Sequence, residues 1–322
     1  MIEQSFLDKF FDKDKRIISR AISYVESEGS NSAELLKKIY SKTGAAFRLG
    51  LTGPPGAGKS TITNELTKLY RAQNKTVGII AVDPTSPFTG GAVLGDRIRM
   101  NDIGRDDGVF IRSMATRGSL GGLSKKAIDA ADVLDAAGFD VIIFETVGVG
   151  QSELDIARAA DTTAVVLVPE SGDSIQAMKA GLMEIADIFV LNKCDRPGSQ
   201  QAKTAIQTIL ALKPHDETTW LPKIIETIAA EKKGLNELAE EIENHKEYSI
   251  KNNFLMKKRE ENSKIRIKEI IRSLISRELW NDKRVEALNS AVEEVVKREI
   301  SPYDLADKIV NDYKLYLTEN EK

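Results

Sequence analysis

The first 45 or so residues carry apolar positions at helical spacing. Ile17, Ile18, Ala21, Ile22 and Val25 fall on one face, and Leu35, Leu36 and Ile39 on another. Gly29 and Asn31 predict a break between two helices. From residue 47 the texture changes to short apolar runs separated by helical stretches: FRLGLT, TVGIIAV, VFIRS, DVIIFET, TAVVLVP, DIFVLNK and PKIIET. Runs that are apolar at consecutive positions suit strands covered on both faces, as in a parallel sheet. Their alternation with helices predicts an α/β fold with a doubly wound, mostly parallel sheet, whose ligands sit beyond the carboxyl ends of the strands. From about residue 250 the strand texture vanishes, and Ile267, Ile270, Ile271, Leu274, Ile275, Leu288, Val292, Val295 and Val296 recur at helical spacing. Ser301 and Pro302 suit an N-cap and a first-turn proline, opening a last helix through Tyr303, Leu305, Ile309 and Tyr313. An apolar stripe this broad either packs back on the sheet or pairs with another subunit. The organisation expected is an N-terminal helical extension (1–45), a central α/β domain (46–248) and a C-terminal helical arm (249–322).

Composition removes several classes of function. Across 322 residues, 46 Lys and Arg face 49 Asp and Glu, a net charge of -3 that offers no basic footprint for nucleic acid. No apolar run approaches the ~20 residues of a bilayer span, so no membrane association is expected. The single cysteine, Cys194, admits no intrachain disulfide and points to a reducing compartment. The opening MIEQSFLDKFFDKDKR mixes acids and bases without the apolar core of a signal peptide, so a cytoplasmic location is expected. His215 and His245 lie in polar stretches, read as solvated surface histidines, and are not spaced as zinc ligands or hydrolytic bases.

The chemistry is concentrated after the strands. Gly53-Pro54-Pro55-Gly56-Ala57-Gly58-Lys59-Ser60 satisfies G-x-x-x-x-G-K-S, follows the run ending at Thr52 and precedes an amphipathic helix from Thr61. Glycines there let backbone N–H groups turn around phosphates, Lys59 bridges the terminal phosphate oxygens, and Ser60 offers a hydroxyl to Mg²⁺. Asn192-Lys193-Cys194-Asp195 follows DIFVL and matches the N-K-x-D pattern. A carboxylate at Asp195 accepts from the ring N–H and exocyclic amine of guanine, a pair that adenine does not present. Cys194 is the variable position of that motif. Glu145 ends the run DVIIF where an acid supports Mg²⁺ or its water shell, and Gly148 can offer an N–H to a γ-phosphate. Asp83, closing TVGIIAV, and Asp96, in LGDR, are further candidates for the metal and the attacking water. Arg97, Arg99, Arg112 and Arg117, near Gly118, Gly121 and Gly122, suggest a basic surface facing phosphate or a partner.

Taken with the P-loop, the strings AVDPTSPFTGGAVLGDRIRM, FIRSMATRGSLGG, ETVGVGQSE and VPESGDSIQAMKAGLMEIADIFVLNKCDRPG resemble the methylmalonyl-CoA mutase-associated GTPases, a family also known as arginine/ornithine transport ATPases. The resemblance runs from about residue 35 to 235. It implies a P-loop GTPase sheet, a nucleotide-dependent homodimer, and a chaperone that loads or protects an adenosylcobalamin-dependent acyl-CoA mutase. By motif, Lys59, Ser60 and Thr61 would serve phosphate and Mg²⁺, Asp83 and Asp96 the metal and first switch, and Glu145 with Gly148 the second switch. Pro169 to Lys179 resembles an additional switch that contacts the mutase, with Asp173 and Lys179 as its charged members. The family departures, Ser113 for a frequent proline, Ser119 at a position that often differs and Cys194 for a common alanine, touch none of these ligands. Thr227-Ile228-Ala229 matches the last base-contacting loop only loosely. No D-x-H-x-x-G is present, so the cobalamin is expected to belong to the partner and not to this chain.

Two other readings use the same motifs. A transport-associated ATPase or kinase for arginine and ornithine uptake conflicts with guanine selection by Asp195. A nickel-delivery GTPase would need clustered His or Cys ligands, whereas the chain has two histidines and one cysteine.

Overall fold

In the computed structural model the described residues are 2–27, 29–83, 103–115, 122–146, 152–171, 182–212, 216 and 219–320. The chain divides into two compact units, residues 1–259 and 260–322.

The first unit opens with three helices, α1 (Gln4–Phe11), α2 (Lys15–Ser27) and α3 (Ser30–Ile39). The sequence pattern merged the first two, which separate because Asp14 caps α2, its Oδ1 accepting from Arg16 N at 2.8 Å and Ile17 N at 3.2 Å. The second break also differs from expectation: Gly29 alone marks it, and Asn31 lies inside α3.

Seven strands follow, β1 (Phe47–Thr52), β2 (Val77–Asp83), β3 (Val109–Ala115), β4 (Val141–Thr146), β5 (Thr162–Leu167), β6 (Ile188–Asn192) and β7 (Lys223–Thr227). All neighbours pair in parallel, in the order β3-β2-β4-β1-β5-β6-β7. Among the described residues the helices between and after the strands are α4 (Lys59–Ala72), α5 (Gly122–Ala136), α6 (Ser152–Ala159), α7 (Leu182–Ile185), α8 (Ser199–Ala211) and α9 (Leu235–Lys251). The order doubles back at β1, so the loop after β1 opens at a topological switch point, where α/β sheets bind their ligands.

The pleat sends alternate residues to the two faces of the sheet. Ile80, Val82, Ile142 and Phe144 join a cluster with Ile18, Ile22 and Val25 of α2 and Leu134 of α5. Leu49, Leu51, Ile79 and Ile143 join another with Ile62 and Leu66 of α4 and Leu238 and Ile242 of α9. Covering on both faces explains why these strands read as uninterrupted apolar runs. The N-terminal helices therefore form part of the sheet's covering layer. Arg112 on β3 is held there: its guanidinium pairs with Glu26 and donates to Ser23 Oγ at 3.2 Å on α2. This corrects its reading as part of a basic surface facing phosphate or a partner. Arg97, Arg99, Arg117, Gly118 and Gly121 lie outside the described residues.

Helix α10 (Phe254–Leu279) begins in the first unit. In the second unit, α11 (Asp282–Val296) and α12 (Pro302–Asn320) follow. Ser301 and Asp304 form a reciprocal cap, with Asp304 N donating to Ser301 Oγ at 3.1 Å and Ser301 Oγ to Asp304 Oδ2 at 2.7 Å. Arg284, buried, donates to Asp312 Oδ2 at 3.0 Å and lies 5.1 Å from the ring centres of Tyr313 and Tyr316. Ile267, Ile270, Ile271, Leu274, Ile275, Val292 and Val296 are exposed. No described helix is long and apolar enough to cross a membrane.

Candidate nucleotide site

Three segments at the carboxyl edge of the sheet converge. The first leaves β1 at Gly53, whose φ of +135° suits glycine and whose added Cβ would lie 2.0 Å from the Val166 carbonyl oxygen of β5. Gly58, at φ +95°, caps α4; a Cβ there would lie 2.3 Å from Asn192 Nδ2. The glycines of this loop therefore serve close approach of backbones as well as turning. Lys59, buried, donates to Gly53 O at 2.7 Å and Pro54 O at 2.8 Å, so its ammonium lies within the curl of the loop. The first turn of α4 starts at this loop, and a helix N-terminus favours an anion. Pro55, Gly56 and Thr61 are exposed on its rim, and Ala57 is buried beneath it.

The second is the end of β4. Glu145 is buried, and Ser60 donates a short hydrogen bond to its Oε1. Beside them Thr146 Oγ1 donates to Thr52 Oγ1 at 3.1 Å, linking the ends of β4 and β1. A hydroxyl and a carboxylate brought together beside a phosphate loop are hard oxygen donors of the kind Mg²⁺ takes, so this pair fits that ion.

The third loop follows β6. Asn192 is buried and fully engaged: Nδ2 donates to Ala57 O at 2.8 Å, while Oδ1 accepts from Thr227 Oγ1 and Ala229 N, both at 3.0 Å. Lys193, at φ +59°, donates from Nζ to Gly56 O at 2.8 Å. Cys194 faces inward, its Sγ donating to Leu191 O at 2.9 Å. Asp195 is exposed at the end of this turn. Lys233, paired with Glu231 at 2.7 Å, holds its proton more tightly than an ordinary lysine because of Glu231 first and Asp195 after it.

Thr227 and Ala229, which the sequence matched only loosely to a base loop, are thus joined directly to Asn192. The signal for them was their position at and just past the end of the last apolar run, PKIIET. Arg196 adds a second link from this region. Its guanidinium donates to Glu170 Oε1 at 2.5 Å, across to the turn after β5 that opens the segment Pro169–Lys179. The hydrogen-bonded ion pair holds the Glu170 carboxyl below, and the Arg196 guanidinium above, its ordinary range.

Of the other candidates, Asp83 is the last residue of β2, opposite Ala115 of β3. Asp96, Gly148, Asp173 and Lys179 lie outside the described residues. His215 does as well, whereas His245 corrects its surface reading: it is buried, 2.7 Å from Thr162 Oγ1 at the opposite edge of the sheet.

A parallel sheet whose first strand turns through a lysine-bearing glycine loop into a helix, and whose Asn-Lys-x-Asp loop bonds to that glycine loop, defines a P-loop GTPase that binds guanine nucleotide. The chain belongs to the family described as methylmalonyl Co-A mutase-associated GTPase MeaB, whose model matches residues 18–284. It is 48% identical over 303 residues to a putative GTPase of Pyrococcus horikoshii, covering 92% of this chain and 94% of that protein. It is 30% identical to the mitochondrial methylmalonic aciduria type A homolog of Mus musculus, covering 97% of this chain and 80% of that protein. Among solved structures, that of an LAO/AO transport system kinase is similar with a TM-score of 0.72 at 27% identity, covering 98% of this chain and 99% of that one.

Proposed function

We propose that this GTPase is a chaperone for an adenosylcobalamin-dependent acyl-CoA mutase, methylmalonyl-CoA mutase or a relative, gating the loading of its cofactor and protecting it. The observation that carries this reading is the family match over residues 18–284, which includes every loop of the site. The name of the mouse relative is consistent with the same client.

In this reading, Lys59 exchanges the carbonyl oxygens of Gly53 and Pro54 for phosphate oxygens of GTP, and the backbone N–H groups of residues 56–61 cradle the phosphates. Ser60, Asp83, Asp96 and Glu145 hold Mg²⁺, which when bound neutralises charge on the phosphoryl group. Lys59, Asp83 and Glu145 are the catalytic residues, and Gly148 presents its amide to the γ-phosphate. Asn192 and Lys193 fix the base loop, and Asp195 reads guanine. Asp173 and Lys179 meet the mutase, and cobalamin stays with that enzyme. Residues 46–248 act as the GTPase domain, with 1–45 as its extension. The arm, 249–322, joins two copies through its exposed isoleucines, valines and leucine in the cytoplasm.

The test is GTP turnover with and without the mutase, alongside titration with GDP and ADP. Slow turnover alone, acceleration by the mutase and binding of GDP only are expected. Equal turnover in both conditions would remove the client, and equal affinity for GDP and ADP would remove the base reading. The name of the similar solved structure favours a second reading, a transport-associated kinase. That reading requires phosphoryl transfer from ATP to a binding protein, which the same preparations can be assayed for.

A further inference from the structure

We propose that a cleft at the amino-terminal edge of the sheet is a second ligand site, built for a flat aromatic anion. Its volume is about 580 Å³, inside the ~300–1,000 Å³ typical of small-molecule sites. It lies below the starts of β5 and β6, beside α9 and the first turn of α10, and all its lining residues belong to the first unit. Because the strands are parallel, this edge is opposite the one that carries the phosphate and base loops.

The wall is aromatic. Trp220 and Tyr248 have ring centres 5.1 Å apart, and Tyr248 stacks on Phe254 at 5.7 Å. Such a row offers faces and edges to another flat ring. Its floor is His245, 4.9 Å from Trp220. Burial lowers the proton affinity of that imidazole, so near pH 7 it adds no charge to the floor.

The polar groups decide the sign of the ligand. Asp161 is neutralised by Arg259, which donates to both carboxylate oxygens at 2.9 and 2.7 Å. Asp187 Oδ2 accepts from Thr163 N at 2.8 Å, its carbonyl oxygen accepts from Trp220 Nε1 at 2.7 Å, and Lys258 Nζ stands 3.9 Å from the same carboxylate. The acids of the cleft are therefore committed. Lys257 is exposed at the rim with its ammonium 5.9 Å from the centre of the Phe254 ring, and no described carboxylate pairs with it. An aromatic wall alone would also suit a quaternary ammonium ligand. Lys257 at the rim, over acids already paired, opposes that and favours a carboxylate, sulfonate or phosphate on a flat apolar body.

The probe is 2-naphthoate, titrated by calorimetry into the full-length protein holding saturating GDP and Mg²⁺, so that the nucleotide site is filled. Saturable binding at one per chain is expected, with 2-naphthylmethanol and a naphthyl trimethylammonium each weaker by about tenfold or more. The exposed substitution Lys257→Gln should weaken naphthoate by about fivefold or more without changing the melting midpoint. In a Trp280→Phe background Trp220 is the remaining indole, and its N–H resonance should move on binding. Absence of saturable heat, affinity shared equally by the neutral or cationic analogue, indifference to Lys257→Gln, or an unmoved indole resonance would each overturn the proposal.

Discussion

The side-chain amide of Asn192 donates to the carbonyl oxygen of Ala57 at 2.8 Å while its oxygen accepts from Thr227 and Ala229. One buried side chain therefore joins the phosphate loop after β1 to the loops after β6 and β7. Removing it in Asn192→Ala leaves three buried partners without it, at a net cost of about 3 kcal/mol of stability. Nucleotide affinity should fall for GDP and GTP together. Denaturant unfolding and GDP titration on the same preparation check both outcomes; unchanged stability would show that the junction is not a structural tie.

Asp195 makes the opposite case. Its carboxylate is exposed, so Asp195→Asn should alter stability by no more than about 0.5 kcal/mol. The amide cannot accept from both guanine donors as a carboxylate does, so the preference for GDP over ADP should drop by about tenfold or more. Competition between the two nucleotides for a fluorescent GDP analogue measures the ratio. A preference that survives the substitution would place base selection elsewhere.

How far these features could be read in advance follows from whether each is local. The inner strands were legible because they are covered on both faces and so carry apolar runs, whereas the edge strand β7 is mostly uncovered and shows only Ile224 and Ile225. The phosphate loop was legible because Gly53 and Gly58 stand where a Cβ would strike another strand's backbone or Asn192. The strand order was not, since pairing of β2 with β4 and β1 with β5 is decided through space. Arg112 looked like a free cation because its partner, Glu26, lies 86 positions away on α2. His245 looked solvated because Asn244 and Lys246 flank it. On α9, however, it continues the stripe Leu238, Glu241 and Ile242, seven, four and three residues back, and that spacing was the available signal.

Arg259 closes the first unit. It donates to both oxygens of buried Asp161, to Gly44 O at 2.8 Å and to Ala46 O at 3.2 Å, pinning the start of α10 to the chain entering β1 and β5. Replacing it by methionine keeps much of the side-chain volume but strands the Asp161 carboxylate. The expected loss is about 3 kcal/mol, the cost of breaking a buried pair from one side. Urea unfolding of Arg259→Met should show it, with GDP affinity preserved in the folded protein because the nucleotide loops lie at the other edge. A loss within about 0.5 kcal/mol would mean that solvent replaces the guanidinium at little cost.

His245 should give the stability curve a slope on the acid side of neutrality. Its Nδ1 lies 2.7 Å from Thr162 Oγ1 and its Nε2 3.5 Å from Asp187 Oδ1. Burial comes first in lowering its pKa from 6.5; Lys258 acts in the same direction, against Asp187, Glu241 and Asp161. Above 6.5 both folded and unfolded chains carry the neutral ring, and its contribution is fully present. As pH falls through 6.5 the unfolded chain takes up a proton that the folded chain resists, so stability declines until the lower folded value is passed. His245→Gln cannot titrate. The stability of the wild type relative to this variant should therefore shrink as pH is lowered from 8 towards 5, as measured by urea midpoints of the two proteins in parallel. A gap that widens with acid would mean that protonation is favoured in the fold, with Asp187 outweighing burial.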